Sequence, residues 1–112
     1  MKRFAILLSL TLTAFLVACS GVEVTVQNVS NEPLRDVELH TRSDVYALGT
    51  ISPGDSVSKR ITPKEDTDLA LSHRDQPELT VGTYLTRGFV GSITLELDDD
   101  AITKVTDNIT VP

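Results

Sequence analysis

Cys19, His40 and His73 are the only thiol and imidazoles in the chain. His73 continues the inward parity of Leu69 and Leu71. That is the place for a histidine held by a backbone partner at the end of a sheet, or for a general base. A base needs a nucleophile to activate, and no Gly-x-Ser-x-Gly turn presents one. His40 falls on the polar side of its segment and is expected to be exposed. The acidic runs are Asp98-Asp99-Asp100 and Glu65-Asp66-Thr67-Asp68. A calcium loop needs alternating ligands, a glycine and a closing glutamate, but Ala101 and Ile102 follow the first run, which therefore reads as a solvated hairpin tip. No catalytic residue, metal site or cofactor is expected. Tryptophan is absent, and past the N-terminal segment the aromatic residues are Tyr46, Tyr84 and Phe89. Tyr84 lies on the parity opposite Leu79, Val81 and Leu85, and Phe89 sits in a bend between Gly88 and Gly91. Tyr84 and Phe89 are the candidate partner-contact residues; the alternative is that Phe89 closes one end of the core.

The elements that must carry these residues are strands. Val22, Val24 and Val26 alternate with Glu23, Thr25 and Gln27, the period of a strand with one buried face. The same alternation recurs around Val37 and Leu39, Leu69 and Leu71, Leu79 to Leu85, and Ile93 to Leu97, and Val105, Ile109 and Val111 share a face in the last segment. Asn28 to Pro33 is a turn cluster, and Ser52-Pro53-Gly54-Asp55 has the residues of a type II turn. Lys59 shares parity with Val57 and Ile61, a device that keeps an edge strand from pairing with another molecule. Seven or eight short strands at this spacing predict an all-β antiparallel sandwich over residues 22–112. An immunoglobulin-like arrangement is favoured, with a transthyretin-like one second, because strand number alone does not separate them.

The first 18 residues are of a different kind. Lys2 and Arg3 precede Phe4 to Val17, which carry no charge. Such a run suits the ~7–15-residue core of a secretory signal and falls short of the about 20 needed to span a bilayer. Leu16-Val17-Ala18-Cys19 closes it. This run resembles the lipobox of bacterial lipoproteins. The resemblance implies a signal helix over 1–18, recognition by signal peptidase through Leu16 and Ala18, and acylation (palmitate among the chains) of Cys19. It also implies a domain held at the cell envelope by membrane lipid. Ser20, next to the cysteine, resembles the sorting pattern for the outer membrane, periplasmic face. Residues 19–21 would be anchor and minimal linker, with Ser20 and Gly21 reaching less than about 10 Å.

The chain has 16 acidic and 10 basic residues; cleavage before Cys19 removes Lys2 and Arg3 and changes the formal charge from −6 to −8. That balance argues against nucleic acid and against charge-driven adhesion to anionic lipid. Val24 to Leu39 and Leu48 to Ser56 resemble turn-and-strand grammar common in bacterial surface β-sandwich modules, over about the first half of the mature chain. The resemblance implies a fold and no catalytic residues. The expected function is therefore a non-catalytic interaction or accessory module with an envelope protein partner. The alternatives are an acidic inhibitor or binder of a cationic envelope enzyme, and a small-ligand-binding domain.

Overall fold

Alternation in the sequence becomes two facing sheets. The computed structural model describes residues 21–74 and 76–111. Eight strands follow in chain order: β1 (Val22–Asn28), β2 (Leu34–His40), β3 (Val45–Ile51), β4 (Ser56–Ile61), β5 (Thr67–Ser72), β6 (Leu79–Leu85), β7 (Val90–Leu97) and β8 (Ile102–Thr110). One sheet has the order β4-β1-β7-β8 and the other β3-β2-β5-β6. All pairings are antiparallel except β1 with β7. The layers are those of an immunoglobulin-like sandwich. In an immunoglobulin constant domain, however, the first two strands share a sheet, whereas β1 and β2 lie in opposite sheets here. The connection from β1 to β2 therefore crosses between the two layers.

The core is what the period-2 reading selects. Val22, Val24, Val26, Leu39, Leu69, Leu71, Ile93, Leu95 and Leu97 are fully buried between the sheets. Each contributes roughly 1.5–3 kcal/mol through burial of its side chain. The opposite side of β1 and its neighbours is hydroxylic. Thr25 pairs in register with Ser58 and Thr94, and Thr94 with Thr106, so one rank of hydroxyls crosses all four strands. Strands β2 and β4 end at His40 and Ile61.

Four strands are edges, and each is interrupted. On β4, Lys59 stands opposite the buried Val24, on the core side of the strand, and reaches solvent because nothing lies beyond it. On β8, the Asp107 carboxylate accepts a hydrogen bond from the Ile109 N–H at 3.0 Å, which occupies a donor that another strand would need. Gly49 on β3 and Gly82 on β6 both have positive φ beside breaks in register with β2 and β5. Such bulges bend an edge away from flat pairing. As the outer strand of its sheet, β8 leaves Val105 40% exposed, while Ile109 on the same face packs against the core.

Asn28 ends β1 and is completely buried. Its Nδ2 donates to the Ile51 carbonyl at 2.8 Å, on the opposite sheet, and to the Glu32 carbonyl at 2.7 Å. Its Oδ1 accepts from the Ser30 N–H at 2.8 Å and the Ser30 hydroxyl at 2.7 Å. The backbone of Asn28 also bonds both ways with the Ser52-to-Asp55 turn, through Asp55 O at 3.0 Å and Gly54 N at 2.9 Å. Asn28→Ala strands several of these groups, and one unsatisfied buried group costs about 1–3 kcal/mol. Urea denaturation should show Asn28→Ala less stable by at least about 3 kcal/mol. Asn28→Asp should lose as much, because a carboxylate cannot donate to the Ile51 and Glu32 carbonyls.

Candidate functional site

The chain enters the fold at a defined end of the sandwich. Gly21 is buried, has a φ of +80°, and its carbonyl accepts from the Gly91 N–H at 3.3 Å. A side chain there would meet the Ile61 carbonyl at 2.9 Å. Gly21 is therefore packed in place directly before β1. Leu16, Ala18 and Cys19 lie outside the described residues.

The register places three loops and the end of β8 around Gly21. Val22 pairs with Ile61 and Gly91, and Val90 with Thr110. In the other sheet, His40 pairs with Val45, and Thr67 with Leu85. Loops 41–44, 62–66 and 86–89 thus share the entry end. They are tied together: the Ser43 hydroxyl donates to Glu65 at 2.6 Å, Thr86 to Asp66 at 2.5 Å, and the Arg87 guanidinium to the Lys64 carbonyl at 3.0 Å. Loops 29–33, 52–55, 73–78 and 98–101 form the far end, one strand length away. Seven residues at about 3.3 Å each make that ~23 Å.

Charge divides unevenly between these ends. The entry loops hold Arg42, Lys64 and Arg87 against Asp44, Glu65 and Asp66, which balance. Among the described residues of the far loops, Glu32, Asp55, Asp98, Asp99 and Asp100 face a single Arg74, while Glu78 reaches back to His40. Most of the net negative charge of the domain is at the far end.

Tyr84 and Phe89 meet at the entry end. Their ring centroids are 6.1 Å apart at 76°, an edge-to-face contact. Tyr84 is 53% exposed on the outer face of β6, while Phe89 is half-buried and packs against the core. Phe89 thus packs on the core with one side and meets the exposed Tyr84 ring with the other. The Tyr84 hydroxyl and the Thr86 hydroxyl both serve Asp66. Thr86 first, then Tyr84, hold the Asp66 carboxyl below the usual carboxylate range, and the bond to Asp66 raises the Tyr84 phenol in return. Tyr46, half-buried on β3, is raised mainly by burial and then by Asp44.

Sequence reasoning missed a cluster on the outer face of β2 and β5. His40 is half-buried, not exposed, and its Nε2 lies 2.7 Å from the Ser72 hydroxyl. Glu38 approaches the same nitrogen and Glu78 approaches Nδ1, each at 3.7 Å. This is the order of a serine, a base and a carboxylate. The Ser72 hydroxyl stands off the face of the sheet, whereas strand N–H groups lie in the plane of the sheet. One metal ion cannot take all three acidic and imidazole groups either, since the glutamates address opposite ring nitrogens. Among the described residues no group of His, Cys, Asp and Glu is placed to hold a metal. An open groove of about 310 Å³ beside His40 is lined by Arg42, Asp68 and Glu78. The signal for the cluster was the register: Glu38 falls opposite Ser72, and His40 opposite Ala70.

His73 is buried as its parity requires, 7% exposed, with no hydrogen-bond partner for Nε2 among the described residues. It lines a cleft of about 160 Å³ at the far end with Arg35, Arg74 and Asp99. Arg74 is held by Asp36 at 2.6 Å. Asp99 and Asp100 are exposed in a turn closed by the Asp98 N–H to the Ala101 carbonyl at 2.9 Å.

The two donors to Asp66 lead to a measurable effect. In Thr86→Ala the Asp66 carboxyl should titrate higher, back toward the ordinary range, and in Tyr84→Phe it should rise by less. Carbon-detected NMR of the side-chain carboxyl reads this directly, and an unchanged titration in both variants would contradict the assigned bonds. Because the folded value is lowered, whatever stability this contact provides is present above the ordinary carboxylate range and is lost as pH falls through the folded value.

A scan of protein-family models, a search of curated proteins and a search of solved structures each found no match to this chain.

Proposed function

We propose that the protein is a lipid-anchored, non-catalytic interaction module of the bacterial cell envelope. The observation that carries this reading is the position of Gly21. Two residues after Cys19 the chain is already buried, directly before β1. Two residues span at most about 7 Å. An acylated Cys19 would hold the entry end at the bilayer and present the far end to the periplasm. Two or more acyl chains give stable anchoring at ~0.8 kcal/mol per buried methylene. The outer membrane, periplasmic face, is the proposed location, on the strength of Ser20 after the cysteine.

Mass spectrometry of the mature protein from cells should find an N-terminal Cys19 carrying diacylglyceryl and an amide-linked chain. A free thiol at Cys19, or cleavage elsewhere, would remove the anchor. With a photo-crosslinking residue in place of Val29, at the far end, the same cells should yield one reproducible adduct. Capture of no partner, together with a deletion that has no phenotype, would sink the interaction role.

One observation favours a second reading, an acidic binder of a cationic envelope enzyme, in the manner of acidic periplasmic lysozyme inhibitors. Five described acidic residues face one arginine in the far loops, and acidic surfaces steer basic partners. Inhibition of a cationic lytic enzyme at micromolar protein, weakened by replacing Asp98, Asp99 and Asp100 with Asn and by added salt, is the expected result. No inhibition at that concentration rejects it.

A further inference from the structure

We infer that the entry end of the sandwich is a membrane seat, in which Val45, Tyr84, Phe89 and Val111 rest in the headgroup region of the bilayer that holds Cys19; this rests on the lipid-anchor reading above. The distribution of exposed apolar side chains points there. Among the described residues the most exposed large hydrophobic side chains are Val111 at 64%, Val45 at 58% and Tyr84 at 53%. Val111 directly follows β8, Val45 opens β3 and Tyr84 lies on β6; these are distant in sequence, and the fold brings all three to the end where the chain enters.

The length of chain outside the structure fixes what lies opposite them. Only Ser20 separates Cys19 from the buried Gly21, so an acyl chain in the bilayer leaves no room for a protein between this end and the headgroups. The chemistry of the end suits that position. Tyrosine has an apolar ring and a polar tip, the combination enriched at membrane interfaces. The balanced entry loops meet an anionic surface with no net repulsion. The acidic far loops lie ~23 Å beyond. That is more than twice the Debye length of about 8 Å at physiological salt, so the lipid charge is screened there. A domain seated the other way would press its acidic loops against anionic headgroups.

The chain has no tryptophan, so single-tryptophan reporters are read without background. Full-length protein matured in cells is reconstituted into vesicles of phosphatidylethanolamine and phosphatidylglycerol, with and without dibrominated phosphatidylcholine. Tyr84→Trp and Val111→Trp report the entry end, and Val29→Trp the far end. Val111→Trp leaves the Tyr84 hydroxyl in place, so it stands if Tyr84→Trp disturbs folding. Both entry-end reporters should be blue-shifted and lose about half their emission to bromine, as expected at interfacial depths of ~5–10 Å. Val29→Trp should be unaffected. Quenching should also persist when salt is raised, because the contact does not depend on net charge. If mass spectrometry shows acylated Cys19 and the entry-end reporters are unquenched, or Val29→Trp is quenched instead, the seat is overturned while the anchor stands. A preparation with unmodified Cys19 overturns the anchor and the seat with it.

Discussion

The side-chain amide of Asn28 is the contact on which the arrangement of the two sheets depends. It stands at the end of β1, in one sheet, and donates to the Ile51 carbonyl in the other. Its remaining bonds fold the 29–33 loop back on itself through Ser30 and Glu32. A sandwich held only by apolar contact could slide, because hydrophobic burial has no direction. An amide with two donors and an acceptor satisfied does not tolerate sliding, since any shift leaves buried polar groups unpaired. The single cysteine leaves no internal disulfide to do this. Asn28-Val29-Ser30 matches a glycosylation sequon in letters, yet the Asn28 side chain is wholly enclosed.

With the sheets in place, the ends of the molecule acquire different characters. One gathers the chain entry, balanced charge and the most exposed apolar side chains among the described residues; the other gathers acidic turns and the cleft at His73. No single strand carries this polarity. It arises because antiparallel pairing sends alternate turns to the same end, so that loops 41–44, 62–66 and 86–89 fall together. The interrupted edges complete the picture. Lys59, Asp107 and the bulges at Gly49 and Gly82 leave the lateral sides poorly suited to strand addition, which leaves the two ends as the surfaces for contact.

Much of the fold was legible residue by residue. The inward set of β1, β5, β6 and β7 follows from a two-residue period, and His73 is buried where Leu69 and Leu71 placed it. The candidate site was legible only in pieces. Tyr84 could be assigned outward from parity, but its contact with Phe89 crosses a bend of irregular backbone, for which no period applies. His40 was misread because parity distinguishes core from surface and says nothing of what else stands on the surface. Ser72 lies 32 residues away and reaches His40 only through the pairing of β2 with β5.

The sequence by itself determined the strands, their buried faces and the Ser52-to-Asp55 turn, because each depends on dihedral preferences and alternation within a few residues. It also placed a lipobox-like Leu16-Val17-Ala18-Cys19 directly before the first strand. Tertiary structure alone decided which strands are neighbours. Placing β1 between β4 and β7 made β8 an edge and left Val105 exposed, packed Gly21 against the start of β7, and collected Val45, Tyr84 and Val111 at one end. Strand order is set by which whole faces pack together and how the connections run between sheets. That is a balance over the entire chain, and no local pattern of residues encodes it.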